Sequence, residues 1–591
     1  AAFSVDIAGE ENMVIVVGVK NKSKLPDTKK LSENILKDLG VRPSTIVFTP
    51  YRSVSKTTSG KIMRYENRTR FTSDSHVLLR RVELDSYESH SVDLSSIKLF
   101  SSFGFSGNEP FSLGDAGLDS MKLVEFAQDL KSHLSKSGHN DLSAEIELKI
   151  LQKISISELH SILEELDNSG LRARMKFKQA FARIHNEFEE IEREMMIKDA
   201  LCEVDALKSP SSIKFQTSGP ILLTGGTGFF GPFILKSILE QSEEDIYVVV
   251  RAEDKTAGLI RLRDSLEVIC PSKEIVNAFE ARVNVVCGDM SKPRLGMTET
   301  IWNQLSDKIS TIYNNGALVN YLMDYESMRS VNSIGTIEVI RFACEKRQKI
   351  LNHISTTFIF GWSVEDTLSE DDENCKMENL DFGYSQSKWV SEQILKSAMK
   401  QGLNARIFRP ALISPSINGK GYNYDIAIRL LAFMIKYRVG TSAKNQISFT
   451  PADIAANNIV AISNIEDSLN KVFHVTRDTY TNLEDITNVF SLFTGDKFEI
   501  LPLEDFVPEI VNRCTKDDIL FPLINFLVKS EKKISKMEFK LYDNSNYKKY
   551  RDMSDLGIED KSIEDVVYGI LKFMKDRDVI SIDIKDKAYV K

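Results

Sequence analysis

Three things are scarce in this sequence. Cysteine is one: Cys202, Cys270, Cys287, Cys344, Cys375 and Cys514 are the only six in 591 residues, with no CxxC pair and no clustering with the eight histidines. That spacing argues against a disulfide framework or a structural zinc site, and the usage fits a reducing, cytoplasmic compartment. Long apolar runs are missing as well; nothing approaches the roughly eighteen residues a membrane span needs. Concentrated positive charge is the third. The formal net charge is −9 and lysine and arginine are spread along the chain, so no nucleic-acid partner is expected. The opening AAFSVDIAGE has no basic n-region and does not read as a signal peptide. With no initiator methionine and a strand-like start, a boundary inside a longer protein is the expectation.

What is present is globular: 42% apolar and 27% charged residues, a composition that argues against general disorder. The length suggests about three or four domains. Residues 1–75 read as a small α/β unit, with strands at Met13–Val19 and Thr45–Thr49 and a helix at Leu31–Leu39 stopped by Gly40. Residues 76–168 turn helical, and Ser120 opens a segment in which Leu123, Val124, Ala127 and Leu130 share a face. A small helical bundle follows. Residues 169–214 form a linker, whose stripe Phe177, Phe181, Ile184, Phe188 and Ile191 predicts a helix packed on the next domain. From 215 to 591, apolar strands at Ile221–Thr224, Ile246–Arg251, Val283–Cys287 and Thr311–Asn315 alternate with helical segments, as in a parallel βαβ sheet.

The first of these strands runs into Thr224-Gly225-Gly226-Thr227-Gly228-Phe229-Phe230-Gly231 and then a helix. That context makes glycines 225, 228 and 231 a dinucleotide-binding turn: one for the tight turn, one for approach of the pyrophosphate, one for helix–strand packing. Helix-terminal N–H groups then face the phosphate charge. The second strand ends on Arg251, with Arg261 downstream. A cation at this point matches a ribose 2′-phosphate, so NADPH is favoured over NADH. Tyr384 and Lys388, spaced i,i+4, share one helix face. A neighbouring ammonium lowers a phenol pKa, which suits Tyr384 to proton donation. Ser355-Thr356-Thr357 follows a strand at Lys349–Ile354 and offers a hydroxyl to a substrate carbonyl.

Residues 215–591 resemble the terminal thioester reductase domains of nonribosomal peptide and polyketide synthetases, which belong to the extended short-chain dehydrogenase/reductases. The likeness rests on TGGTGFFG at 224–231, VVVRA at 248–252, GDM at 288–290, YNNGALVNYLMDY at 313–325, VNSIGT at 331–336, HISTT at 353–357, GYSQSKWVSE at 383–392 and FRP at 408–410. It implies a catalytic triad of Thr356, Tyr384 and Lys388, and a cofactor surface that includes Asp289, Met290, Asn315, Gly316 and Ala317. It also implies a mostly helical substrate and carrier-docking lobe after residue 412. Ala411-Leu-Ile-Ser-Pro departs from the family, which commonly has a glycine soon after the Arg-Pro pair.

Gly117-Leu-Asp-Ser120 resembles the phosphopantetheine attachment motif of acyl and peptidyl carrier domains, which implies a 4′-phosphopantetheine arm on Ser120 and a phosphopantetheinyl transferase as partner. Lys56-Thr-Thr-Ser-Gly-Lys61 resembles the final motif of adenylate-forming enzymes, specifically the C-terminal subdomain of fatty acyl-AMP ligases, with Lys61 as the adenylate-contacting lysine. The large adenylation subdomain is absent from these residues, so no adenylation activity is expected of them. The expected fold is a multidomain α/β chain: a small α/β adenylation subdomain, a helical carrier bundle and a Rossmann-fold reductase with a helical lobe. Its expected work is NADPH-dependent release of an acyl or peptidyl thioester, delivered by upstream adenylation or extension modules, as an aldehyde or alcohol. A nucleotide-sugar epimerase or dehydratase on the same fold, a non-catalytic carrier scaffold and a Dieckmann-type release domain are the competing readings. The last usually lacks the tyrosine retained here at 384.

Overall fold

The structure is a computed structural model. It describes residues 96–118, 120–168, 171–202, 218–372, 376–422, 424–537 and 540–585, together with 2–7, 10–19, 45–50, 79–83 and a few isolated positions before residue 96. The helix expected at Leu31–Leu39 and the motif lysine Lys61 lie outside the described residues, as does Cys375. The chain divides into two compact units, Ala1–Asn186 and Glu187–Lys591.

The first unit opens with a four-stranded sheet in the order β1 (Ala2–Ile7), β2 (Glu10–Val19), β3 (Thr45–Pro50), β4 (Arg80–Glu83). β2 and β3 are parallel and the outer pairs antiparallel. Four helices then form a bundle: Ser96–Ser102, Ser120–Lys136, Leu148–Lys153 and Ile156–Asn168. Leu123, Val124, Ala127 and Leu130 are all buried, as their spacing predicts. Ser120 is the first residue of its helix, so the loop-to-helix junction falls where the sequence puts it.

One helix, Leu171–Ala200, runs through the boundary between the units. The structure corrects the reading of its stripe. Phe177, Phe181 and Ile184 do not pack on the following domain; they close the core of the preceding bundle, with the two phenyl rings stacked at 4.2 Å. Ile191 is 60% exposed. In the second unit the buried positions of this helix are Glu192, Met196 and Asp199. Carboxylates make the inward contact here because partners wait for them. Tyr325 N–H donates to Glu192 at 2.9 Å, Tyr325 Oη to Asp199 at 2.7 Å and Arg329 Nη2 to Asp199 at 2.6 Å.

The second unit is built on a seven-stranded parallel sheet: β5 (Ile221–Thr224), β6 (Ile246–Val250), β7 (Val283–Cys287), β8 (Thr311–Asn314), β9 (Ile350–Ile354), β10 (Ala405–Pro410) and β11 (Val472–Val475). Their spatial order is β7-β6-β5-β8-β9-β10-β11. The order reverses beside β5, and in such sheets ligands bind at the strand ends where the reversal opens a crevice. Strands buried on both faces read as unbroken apolar runs, and β5 is buried at every residue. Separate apolar cores lie on the two faces of the sheet, one with Phe233, Ile234 and Ile459, the other with Val339, Val390 and Ile394. After residue 412 the chain is mainly helical, including Ile426–Tyr437, Leu503–Arg513 and Ile524–Ser535. Among the described residues, no helix is long and apolar enough to cross a membrane and no cluster could hold a metal ion.

Candidate active site

The turn after β5 bends at Gly225, whose φ of +70° suits glycine. A Cβ there would stand 2.6 Å from the Cα of Gly316, so the turn and the segment after β8 touch through bare backbone. Gly231 begins the next helix, and a Cβ on it would collide with the Gly225 carbonyl oxygen. Gly228 differs: the nearest atom to a Cβ there is 3.5 Å away, and its surface lines a cavity of about 260 Å³.

Below the turn runs an ordered chain of buried hydrogen bonds. Gly316 N–H donates to Thr224 Oγ1 at 3.0 Å, and the Thr224 hydroxyl donates to Asn314 Oδ1 at 2.8 Å. Asn314 Nδ2 meets His353 Nδ1 at 3.0 Å, and His353 Nε2 lies 3.4 Å from Lys388 Nζ. Burial, helped by the Lys388 charge, holds the His353 imidazole far below its ordinary pKa. Sequence reasoning missed both Asn314 and His353. A histidine inside an apolar strand was the signal, and it stands one residue before Ile354 in the quoted HISTT.

Tyr384 is the second residue of the helix Gly383–Lys400 and Lys388 lies one turn on. Both line the same cavity as Gly228, with Thr356, Asn315 and Ala317. The Lys388 ammonium does not lower the phenol, as the spacing suggested. It turns to the Ile354 carbonyl at 2.8 Å, and burial brings it down to about 8 against the pull of Glu392. Burial pushes the Tyr384 phenol up to about 12, and a hydrogen bond with Thr356 opposes that rise. Ser355 is committed elsewhere, donating to buried Glu392. Of the three consecutive hydroxyl residues, Thr356 is therefore the one joined to the phenol.

Further residues fix this helix. Asn332 sits in a π-helical turn, Ser330–Ile334, of the kind frequent at functional sites. Its amide donates to Ser387 Oγ and to the Leu318 carbonyl, each at 2.9 Å, and its oxygen accepts from Leu318 N–H at 2.7 Å. It thus ties the loop after β8 to the helix bearing Tyr384. Gln386 Nε2 donates to Glu192 at 2.8 Å. Glu392 and Arg409, both wholly buried, pair at 2.7 Å.

Not every predicted residue reaches the cavity. Arg251 is exposed at the end of β6, and the Arg261 guanidinium donates to its carbonyl. Asp289 accepts from Ser291 N–H and Oγ at 2.9 and 2.7 Å. Its pKa stays low: burial raises it, but the Ser291 bonds and the Arg251 charge prevail. Met290 backs the Gly316 segment, its sulfur occupying the space where a Gly316 Cβ would fall. Thr227 and Phe229 belong to the turn itself, and the phenyl of Phe229 lines the cavity. Ala411, where the sequence departs from the family, is in the cavity wall with Leu412 and Ile413.

These residues fit a dinucleotide. The turn leaves Gly228 without a side chain toward the cavity, and the Arg261 guanidinium reaches the Arg251 carbonyl just after β6.

Comparison with known proteins agrees. Residues 223–459 match the NAD-binding family model described as male sterility protein. A solved terminal R domain from the myxalamid PKS-NRPS biosynthetic pathway is 27% identical, with TM-score 0.61, covering 66% of this chain and 99% of that one. The second unit is similar to such reductase domains. An archaeal thiolation-reductase di-domain, 18% identical with TM-score 0.58, shares the fold over 82% of this chain and 97% of its own. Among curated relatives, a component of the linear gramicidin synthase of Brevibacillus parabrevis is 30% identical over 396 residues, 66% of this chain. The large subunit of L-2-aminoadipate reductase of Candida glabrata is 32% identical over 347 residues, 55% of this chain. The alignments take in only 7% and 25% of those two proteins.

Proposed function

We propose that this chain releases an acyl group from a carrier-bound thioester by NADPH-dependent reduction, giving an aldehyde or alcohol. The observation that carries the reading is the single cavity whose wall joins Gly225 and Gly228 to Thr356, Tyr384 and Lys388. A dinucleotide turn and an acid–base pair on one wall suit hydride transfer to a carbonyl.

NADPH, when bound, supplies the hydride. The chain's own residues do the rest. Gly225, Gly228 and the helix start at Gly231 would receive the cofactor's pyrophosphate, Arg251 and Arg261 would hold its 2′-phosphate, and Lys388, Asn315 and Ala317 would contact its ribose and nicotinamide. Thr356 and Tyr384 hold the thioester carbonyl oxygen, stabilise the charge that develops there and donate the proton through Tyr384 Oη. Loss of the thiol from the tetrahedral adduct then frees the aldehyde. Ser120, at the start of its helix, is the attachment point proposed for 4′-phosphopantetheine, installed by a phosphopantetheinyl transferase. The N-terminal end of a helix suits the phosphodiester charge. The small sheet β1–β4, whose last strand at Arg80–Glu83 lies beyond the expected boundary at 75, is read as the end of an adenylation domain, and upstream adenylation or extension modules as the source of the acyl group.

The test is the full chain, converted to its phosphopantetheine form, acylated and given NADPH. Loss of NADPH should equal, or be twice, the loss of thioester. Ser120→Ala should neither gain the mass of the arm nor consume NADPH above background. Thioester lost without NADPH oxidation is the result that sinks the proposal.

Cofactor choice has its own test. Arg251→Ala should weaken NADPH binding about tenfold to a hundredfold, the value of a charge-assisted contact, and leave NADH binding nearly unchanged. Fluorescence titration reads both. Equal losses would make Arg251 a support of the fold and not a reader of phosphate.

A further inference from the structure

Beyond the catalytic cavity lies a second one. It has about 280 Å³ and belongs to the C-terminal lobe. The two share Tyr321, Phe358 and Leu412 in their linings, so these three residues mark where one passes into the other. The rings of Tyr321 and Phe358 each stand 6.4 Å from the Tyr384 ring. A thioester carbonyl held at Tyr384 is therefore one aromatic ring away from this chamber.

The chamber's chemistry is one-sided. Ala427, Leu430 and Leu431 from the helix Ile426–Tyr437, Phe506 and Ile510 from Leu503–Arg513, and Leu527 from Ile524–Ser535 make much of its wall. Among the described residues its lining holds no aspartate, glutamate, arginine or histidine. Three of the polar groups that do occur are bonded to the protein. Lys540 Nζ donates to the Gly361 carbonyl at 3.0 Å, Asn445 Nδ2 to the Ile534 carbonyl at 2.7 Å and Trp362 Nε1 to Asp381 at 2.6 Å. A peptide amide placed among these side chains meets mainly apolar surface. Methylene groups find continuous apolar surface.

We infer that this chamber is the acyl-chain site, and that it selects an aliphatic acyl group over a peptidyl one. The inference rests on the reductase reading and narrows its substrate class. Each further methylene buried should improve binding about fourfold until the chamber is full. An amide left without partners in the same place should cost roughly tenfold or more.

The experiment uses the full chain and two probe series. S-alkyl pantetheine thioethers of increasing length, which cannot be reduced, are titrated by calorimetry. A thioether of matched length carrying a glycyl-glycine chain is titrated beside them. The matching S-acyl thioesters are then assayed for kcat/KM with NADPH. Affinity should climb with chain length to a plateau, and the glycyl-glycine probe should bind at least tenfold more weakly than the alkyl chain of its length. Ala427→Phe, which fills part of the chamber from a half-buried position, should bring the plateau to a shorter chain. The wild-type series decides the matter even if that variant folds poorly. A flat length dependence, or a glycyl-glycine probe that binds as tightly, overturns the inference. Thioether binding needs no reduction, so a failure of all thioesters to consume NADPH would count against the activity and leave the binding result readable.

Discussion

Tyr384→Phe should lower the single-turnover rate of NADPH oxidation on acylated carrier by about a hundredfold to ten-thousandfold, the usual worth of a general acid. The side chain is 9% exposed and packs among Tyr321, Phe358 and Phe382. Phenylalanine keeps that packing and removes only the hydroxyl. Burial pushes the phenol up to about 12, so it stays protonated and able to donate through neutral pH. An alkaline limb in the rate profile near pH 8 should therefore belong to Lys388, whose ammonium burial brings down to about 8. That limb should survive in Tyr384→Phe and vanish in Lys388→Met. NADPH affinity should change little in the tyrosine variant, because the glycine turn and Arg251 are proposed to do most of the cofactor holding and the substitution touches neither. A near-normal rate would pass the proton to Thr356 or to water.

Glu392→Ala should cost about 3–5 kcal/mol of stability, because it strands a buried guanidinium. Glu392 and Arg409 are both fully buried and meet at 2.7 Å, with further contacts at 3.0 and 3.2 Å. Ser355 also donates to this carboxylate. Its removal therefore loosens the strand end that carries Thr356. Burial raises the Glu392 pKa, but Arg409 outweighs it and the net shift is downward. The stabilisation is thus present above the ordinary glutamate range and lost as pH falls through the lowered value. Urea denaturation of wild type and variant at neutral pH and at acid pH should show the gap shrink in acid. A constant gap would mean that the ion pair is not its source.

Local pattern carried much of this architecture. The glycine turn, the apolar strands and the spacing of Tyr384 and Lys388 are all short-range features, and each is found where its residues put it. Long-range partners were not legible. Nothing in the sequence near Glu192 or Asp199 says that their partners are Gln386, Tyr325 and Arg329, more than a hundred residues away. The stripe at Phe177, Phe181 and Ile184 was visible, but a helical stripe does not say which neighbour it covers. The i,i+4 rule brought Tyr384 and Lys388 to one face, but the rotamer of Lys388 answers to the Ile354 carbonyl and His353 on another strand. The apolar chamber was the least readable part. Its wall is assembled from helices whose outward pattern is that of any amphipathic helix packed on a core.

The most direct measurement uses NADPH deuterated at the transferable position, with the acylated full chain, and mass analysis of what leaves the carrier. Reductive release predicts an aldehyde bearing one deuterium at its carbonyl carbon, or an alcohol bearing two, with the thiol set free. An unlabelled carboxylic acid, or a product without deuterium at that carbon, would contradict it.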